Sequence, residues 1–167
     1  MKRLFLTVIF LTLITGSFSC LMVSSCPCPD ITTLFDNPEN VLYSEGPGCI
    51  RNITCGSGYS TYAQSLFNET EIPILPEPFG NRLTIFTGPD TSMPLLPLDL
   101  YAYNGYICEN GAWYATKYPS GIFYFRAEGG DERLGLNGEY DNLKSKIYKI
   151  YWSSFKDESE NISLRFP

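Results

Sequence analysis

Six cysteines behind an export-like N-terminus set the terms on which this chain can fold. Lys2 and Arg3 form a short positive start, and Leu4 to Ile14 is an apolar run broken only by Thr7 and Thr12. The small residues Gly16, Ser17 and Ser19 follow. Charge, apolar run and small residues in that order describe a secretory signal peptide. The run covers eleven residues; at about 1.5 Å each they reach half-way through a bilayer core of about 30 Å, too short for a span. Cleavage is expected after Ser19 or after Ser25, which assigns residues 1–25 to the signal. A lipoprotein signal ending before Cys20 is a minor alternative that Phe18 fits poorly. The expected location is secreted and extracellular, with no membrane span in the mature chain.

Exported thiols meet an oxidising compartment and tend to pair. The cysteines are Cys20, Cys26, Cys28, Cys49, Cys55 and Cys108. A cut after Ser25 leaves five, one of them free or intermolecular. Cys26 and Cys28 flank only Pro27, so a bridge between them would be strained. Separate partners are expected, with Cys49 and Cys55 as the near candidates. A metal or redox site at Cys26-Pro27-Cys28 is the weaker alternative, because zinc sites at this spacing need histidine or a second close cysteine pair. Three sequons, at Asn52, Asn68 and Asn161, become acceptors for N-glycans once the chain is exported into a eukaryotic secretory pathway. Asn52 lies between Cys49 and Cys55, so that stretch should face solvent.

Twelve Lys and Arg stand against eighteen Asp and Glu, a net charge of −6, and there is no histidine. Nucleic-acid binding needs a basic face and is not expected. The missing histidine removes the usual general base and the Ser-His and Cys-His nucleophile pairs. Carboxylates near turns, at Asp90, Asp99, Glu109 and Asp131, leave a small secreted carboxylate-dependent hydrolase as the alternative. The favoured reading is a non-catalytic extracellular interaction or structural module. It has no catalytic, cofactor or metal residues, and its partner is an extracellular protein or a glycan. No Asp-x-[Asp/Asn]-x-[Asp/Asn]-Gly calcium loop is present in the sequence.

The strongest local fold signal lies between Leu100 and Ala127. Tyr106 to Glu109 and Ala112 to Thr116 are extended, aromatic runs around Asn110-Gly111, the pair best suited to a two-residue type I′ hairpin turn. Pro119-Ser120-Gly121 turns again, and Ile122 to Phe125 runs back, which predicts a three-stranded meander. Tyr59 to Phe67 and Arg82 to Thr87 are further strand candidates, although Ala63 to Leu66 could form a short helix. Pro73 to Pro97 holds six prolines, which predicts loops around that one strand. Residues 26–126 read as one cysteine-containing β domain. Residues 127–167 read as an extension carrying one or two further strands or a short helix. In it, Ile147 to Trp152 is β-branched and aromatic, which favours a strand. The fold class expected is all-β, a small disulfide-containing, sandwich-like domain. Aromatics crowd this half of the chain. Tyr101, Tyr103 and Tyr114 are candidates for an exposed contact surface, but strands prefer aromatics and a core role is the stronger reading.

Cys26-Pro27-Cys28-Pro29, Gly48-Cys49, the short step to Cys55 and Cys108-Glu109-Asn110-Gly111-Ala112-Trp113 together resemble a nematode-restricted group of secreted domains without assigned function, domain of unknown function 281. The resemblance covers about Cys26 to Phe125. It implies a last cysteine near Phe125 to Ala127, and none stands there. On that resemblance Cys108 lacks its partner: it is a buried free thiol, joins the N-terminal cysteines or links two chains. We expect it to be the unpaired one, with both bridges among Cys26, Cys28, Cys49 and Cys55. Tyr106, Cys108, Gly111 and Trp113 also resemble the second half of a complement-control module, which likewise needs a closing cysteine that this chain lacks.

Overall fold

A computed structural model of the chain describes residues 25–36, 38–55, 59–73, 80–86 and 98–154. The signal segment up to residue 24, Cys20, most of the proline-rich stretch with Asp90, and Asn161 lie outside the described residues. Eleven strands run in chain order: β1 (Phe35–Asp36), β2 (Val41–Glu45), β3 (Arg51–Cys55), β4 (Tyr59–Leu66), β5 (Arg82–Phe86), β6 (Ile107–Glu109), β7 (Ala112–Ala115), β8 (Ile122–Phe125), β9 (Asp131–Leu134), β10 (Ser145–Lys146) and β11 (Lys149–Ser154). Among the described residues one short α-helix, α1 (Leu100–Tyr103), precedes β6. The expected all-β, disulfide-containing fold is what the chain adopts.

Six strands form the main sheet in the order β1-β11-β4-β5-β8-β9, with only the two-residue β1 running parallel to its neighbour. One row of paired residues crosses this sheet: Phe35, Ile150, Ala63, Ile85, Ile122 and Leu134. The four central members of the row are fully buried. Side chains alternate faces along a strand, so Thr61 and Ser65 of β4 and Trp152 of β11 share this buried side. Small Ala63 faces larger Ile85 and Ile150 in the row, which lets the layer above pack closely. Burying each isoleucine stabilises by about 1.5–3 kcal/mol relative to leaving it in water.

A second sheet, β10-β7-β6, lies against the first, and β2-β3 form a separate hairpin. The chain steps between the two larger sheets at Ile147 and Tyr148. Ile147 N–H donates to the Trp113 carbonyl, and Tyr148 N–H donates to the Gln64 carbonyl. The expected extension is thus woven into the rest of the fold. β11 sits between β1 and β4, and β10 pairs with β7. Tyr59 to Leu66 is a strand throughout, and the helical alternative for Ala63 to Leu66 does not occur.

The meander is corrected in part. The β6-β7 hairpin has the expected two-residue turn, with Asn110 at φ 50° and Gly111 at φ 75°, and it pairs Cys108 with Trp113. The third strand leaves this sheet: β8 pairs with β5 and β9, and β10 takes the free side of β7. Local geometry at the exit from β7 explains the change. The Asn104 carbonyl accepts from both Thr116 N–H and Lys117 N–H, and Asn104 Nδ2 donates to the Lys117 carbonyl. These bonds pull the chain out of the ladder before it can turn back. Gly121 (φ 74°) then completes the turn into β8 where a Cβ would stand 2.3 Å from the Leu134 carbonyl oxygen.

The cysteine assignment is also corrected. Cys26 bridges Cys49, and Cys28 bridges Cys108. Cys108 is therefore paired, and only one bridge lies within the N-terminal group. The reason is that Trp113, opposite Cys108, donates its indole Nε1–H to the Pro29 carbonyl at 2.8 Å. That contact lays the Cys28-Pro29 segment across the hairpin, where Cys28 meets Cys108. The bridge closes a separation of 80 residues, against 23 for Cys26–Cys49. In the chain-entropy view the longer loop contributes more, about 4–5 kcal/mol against about 3–4. Cys108→Ala should therefore lower the urea midpoint of the purified protein by the equivalent of about 2–5 kcal/mol. Cys28→Ala should match it, and the double variant should add little. A Cys108→Ala protein as stable as its parent would contradict the assignment.

Candidate functional site

The two bridges meet. The sulfurs of Cys26, Cys49 and Cys108 lie within 4.8 Å of one another, all half-buried. Three sulfurs so close could suggest a metal centre, but each is in a bridge and none is a thiolate, the form that ligates. The cluster is a structural clasp joining three pieces: the N-terminal segment, the turn between β2 and β3, and β6.

Aromatic packing thickens this clasp. Tyr101 of α1 stands edge-on to Tyr106 and to Trp113, and its hydroxyl donates to the Cys49 carbonyl at 2.7 Å. Arg51 of β3 is buried, with its guanidinium carbon 5.9 Å from the centre of the Trp113 ring. Its Nη1 donates to the carbonyls of Gly48 and Ile50, and Glu45 lies 3.9 Å from Nε. A buried guanidinium is tolerable only because those acceptors and the ring face replace water. Asp99 caps α1 through the Tyr101 N–H and takes the Ile53 N–H with the same Oδ1 atom, both at 3.1 Å. One carboxylate thus starts the helix and docks the hairpin onto it.

The inner face of the hairpin, Tyr43, Arg51 and Ile53, is turned toward this cluster, while Leu42, Ser44, Ile50 and Asn52 are exposed on the other side. Leu42 is 71% exposed and Ile50 59%. Asn52 stands opposite Ser44 in register, and its Oδ1 accepts from the Thr54 hydroxyl at 2.9 Å. Asn68 is exposed as well, but its Oδ1 accepts from Asn81 Nδ2. Thr70 of that sequon hydrogen-bonds to Ser145 Oγ at 2.6 Å and takes the Ile72 N–H.

The predicted residues divide. Cys26, Cys28, Cys49 and Cys108 come together, and Tyr101 joins them as packing. Cys55 ends β3 opposite Val41, away from this group in register. Tyr103 is half-buried with its hydroxyl at Ser120 Oγ, and Tyr114 is half-buried in β7. The three tyrosines therefore do not form one exposed platform. Among the carboxylates, Asp99 is committed to capping and Glu109 to an ion pair with Lys144 at 2.6 Å. Sequence reasoning missed Arg51 and Asp99 in the clasp. Their roles depend on partners from distant segments, and no local pattern announces them.

The buried phenols carry a pH signature. Burial pushes the Tyr106 hydroxyl well above the ordinary value of 10. It does the same to Tyr118, only partly offset by its hydrogen bond with the Ser145 hydroxyl. Burial first, and then the hydrogen bond to Glu45, raises Tyr43 to about 12. In the unfolded chain these groups ionise near 10, so the folded state holds more protons above that pH and stability falls as pH rises. Absorbance titration should show a fraction of tyrosines that ionises only with alkaline unfolding; complete, reversible titration near pH 10 would contradict this packing.

Residues 24–152 match the family model described as TRA-1 regulated protein R03H10.4. This is a nematode family of unknown function, as the sequence resemblance implied; the assignment to domain of unknown function 281 is not confirmed. No curated protein and no solved structure matches the chain.

Proposed function

The chain belongs to the TRA-1 regulated protein R03H10.4 family, and from that premise we propose that it is a secreted, N-glycosylated, non-catalytic module that binds an extracellular protein or glycan. The observation that carries this reading is the pair of disulfides anchored at Cys26 and Cys28. Both begin within three residues of the expected cut after Ser25. Bridges of this kind persist in oxidising compartments and are rare in the cytosol. The export-like leader, two exposed sequon asparagines and carboxylates already engaged in caps and ion pairs support the same reading. A fold clasped by two disulfides suits recognition, which benefits from surfaces ordered before the partner arrives.

Expression in insect cells should place the chain in the medium with its leader removed. Treatment with an N-glycosidase should increase its mobility. Asn52→Gln and Asn68→Gln should each remove one step of that shift. Chain retained in the cytosol with Met1 in place would overturn the address. Turnover of a glycan or peptide library by the purified protein, lost in Glu109→Gln or Asp99→Asn, would overturn the non-catalytic role.

A further inference from the structure

We propose that the N-glycan on Asn52 lies over the exposed apolar face of the β2-β3 hairpin, where it covers Leu42 and Ile50 and keeps this edge from pairing with other chains. The proposal rests on the secretory reading above and adds a task for one of its glycans.

The hairpin presents an aggregation hazard. Among the described residues β2 pairs only with β3, so its outer side is an open edge. Unpaired edges invite another strand, and natural proteins blunt them with charge, proline, bulges or cover. Here the solvent face adds two large apolar side chains, Leu42 and Ile50, to that edge. Scattered exposed apolar residues need no explanation, but two on one face of a two-stranded edge favour self-association.

Asn52 is placed to solve this. Ile50 ends the turn just before β3, two residues ahead of Asn52, and Leu42 is the diagonal neighbour of Asn52 across the hairpin, by the pairs Leu42 with Thr54 and Ser44 with Asn52. Such neighbours lie about 7–8 Å apart on one face. A built Cβ at Gly46, on the same side, would stand 3.0 Å from Ile50 Cγ2. Ile50 therefore leans over the hairpin toward β2 rather than away from it. The Thr54 hydroxyl binds Asn52 Oδ1, which fixes the amide. Among the described residues Nδ2, the atom that carries an N-linked sugar, has no partner. The glycan would thus leave a held amide that stands between the two aliphatic side chains, Leu42 on one side along the hairpin and Ile50 on the other. Asn68 sits in a 3₁₀ turn outside this hairpin, so its glycan has no such task.

The test compares secreted wild type with Asn52→Gln, Thr54→Ala and Asn68→Gln by size-exclusion chromatography and binding of a hydrophobic dye. Wild type and Asn68→Gln should elute as monomers. Asn52→Gln and Thr54→Ala should shift to larger species, bind more dye and lose soluble yield. Adding Leu42→Thr and Ile50→Thr to Asn52→Gln should restore the monomer and the yield. A monomeric Asn52→Gln protein overturns the proposal, and so does failure of the threonine pair to rescue a poorly secreted one. Wild type that shows no glycosidase shift removes the secretory reading and this one together. A shift lost in Asn52→Gln without self-association removes this one alone.

Discussion

The bridge between Cys28 and Cys108 fixes an N-terminal segment that has little secondary structure of its own to hold it. Residues 25–30 form no strand, and without a covalent tie they would depend on the Trp113 indole bond to Pro29 and on Ile31, which is fully buried. Once Cys28 is held at β6, Cys26 can reach Cys49 in the turn that joins β2 to β3. The hairpin then docks through Ile53 and Arg51 onto α1 and Trp113. Each step supplies the position the next one needs, so the clasp orients a surface that lies outside both larger sheets.

The six-stranded sheet supplies the rigid body to which this clasp is attached. Its central row of buried aliphatic residues is built from four sequence segments, and the last of them, β11, arrives from near the end of the described chain. Insertion of β11 between β1 and β4 means that the sheet is incomplete until those late residues are in place. Pairing over such separations carries a loop-closure cost before any contact rewards it. Disulfides that restrict the unfolded chain lower that cost, and a small secreted domain with a modest core gains most from them.

Features set by neighbours in sequence were legible. Asn110-Gly111 announced the β6-β7 hairpin because the positive φ at both positions is a local demand. Apolar and aromatic runs between turn signals marked β4, β5 and β8 as strands, and β-branched and aromatic composition marked β11. Which sheet a strand joins is decided by partners far along the chain, and there the reading broke down. β8 looked like the third strand of a meander because nothing nearby reveals that Asn104 diverts the chain after β7. The two-residue strands β1 and β10 are too short to show any period. Cysteine pairing failed for the same reason: Cys28 is 80 residues from its partner, and Trp113 as the link between them is visible only when folded. The sequons were legible as motifs, but not the apolar face beside one of them.

The connectivity of the cysteines tests the account most directly, since the clasp, the hairpin and the surface it carries all follow from it. Proteolysis of the purified protein under non-reducing conditions, with free thiols blocked beforehand, followed by mass spectrometry of linked peptides, reads it out. The account predicts a peptide joining Cys28 to Cys108 and another joining Cys26 to Cys49. A Cys108 peptide recovered with a blocked thiol, or joined to Cys49 or Cys55, would contradict it.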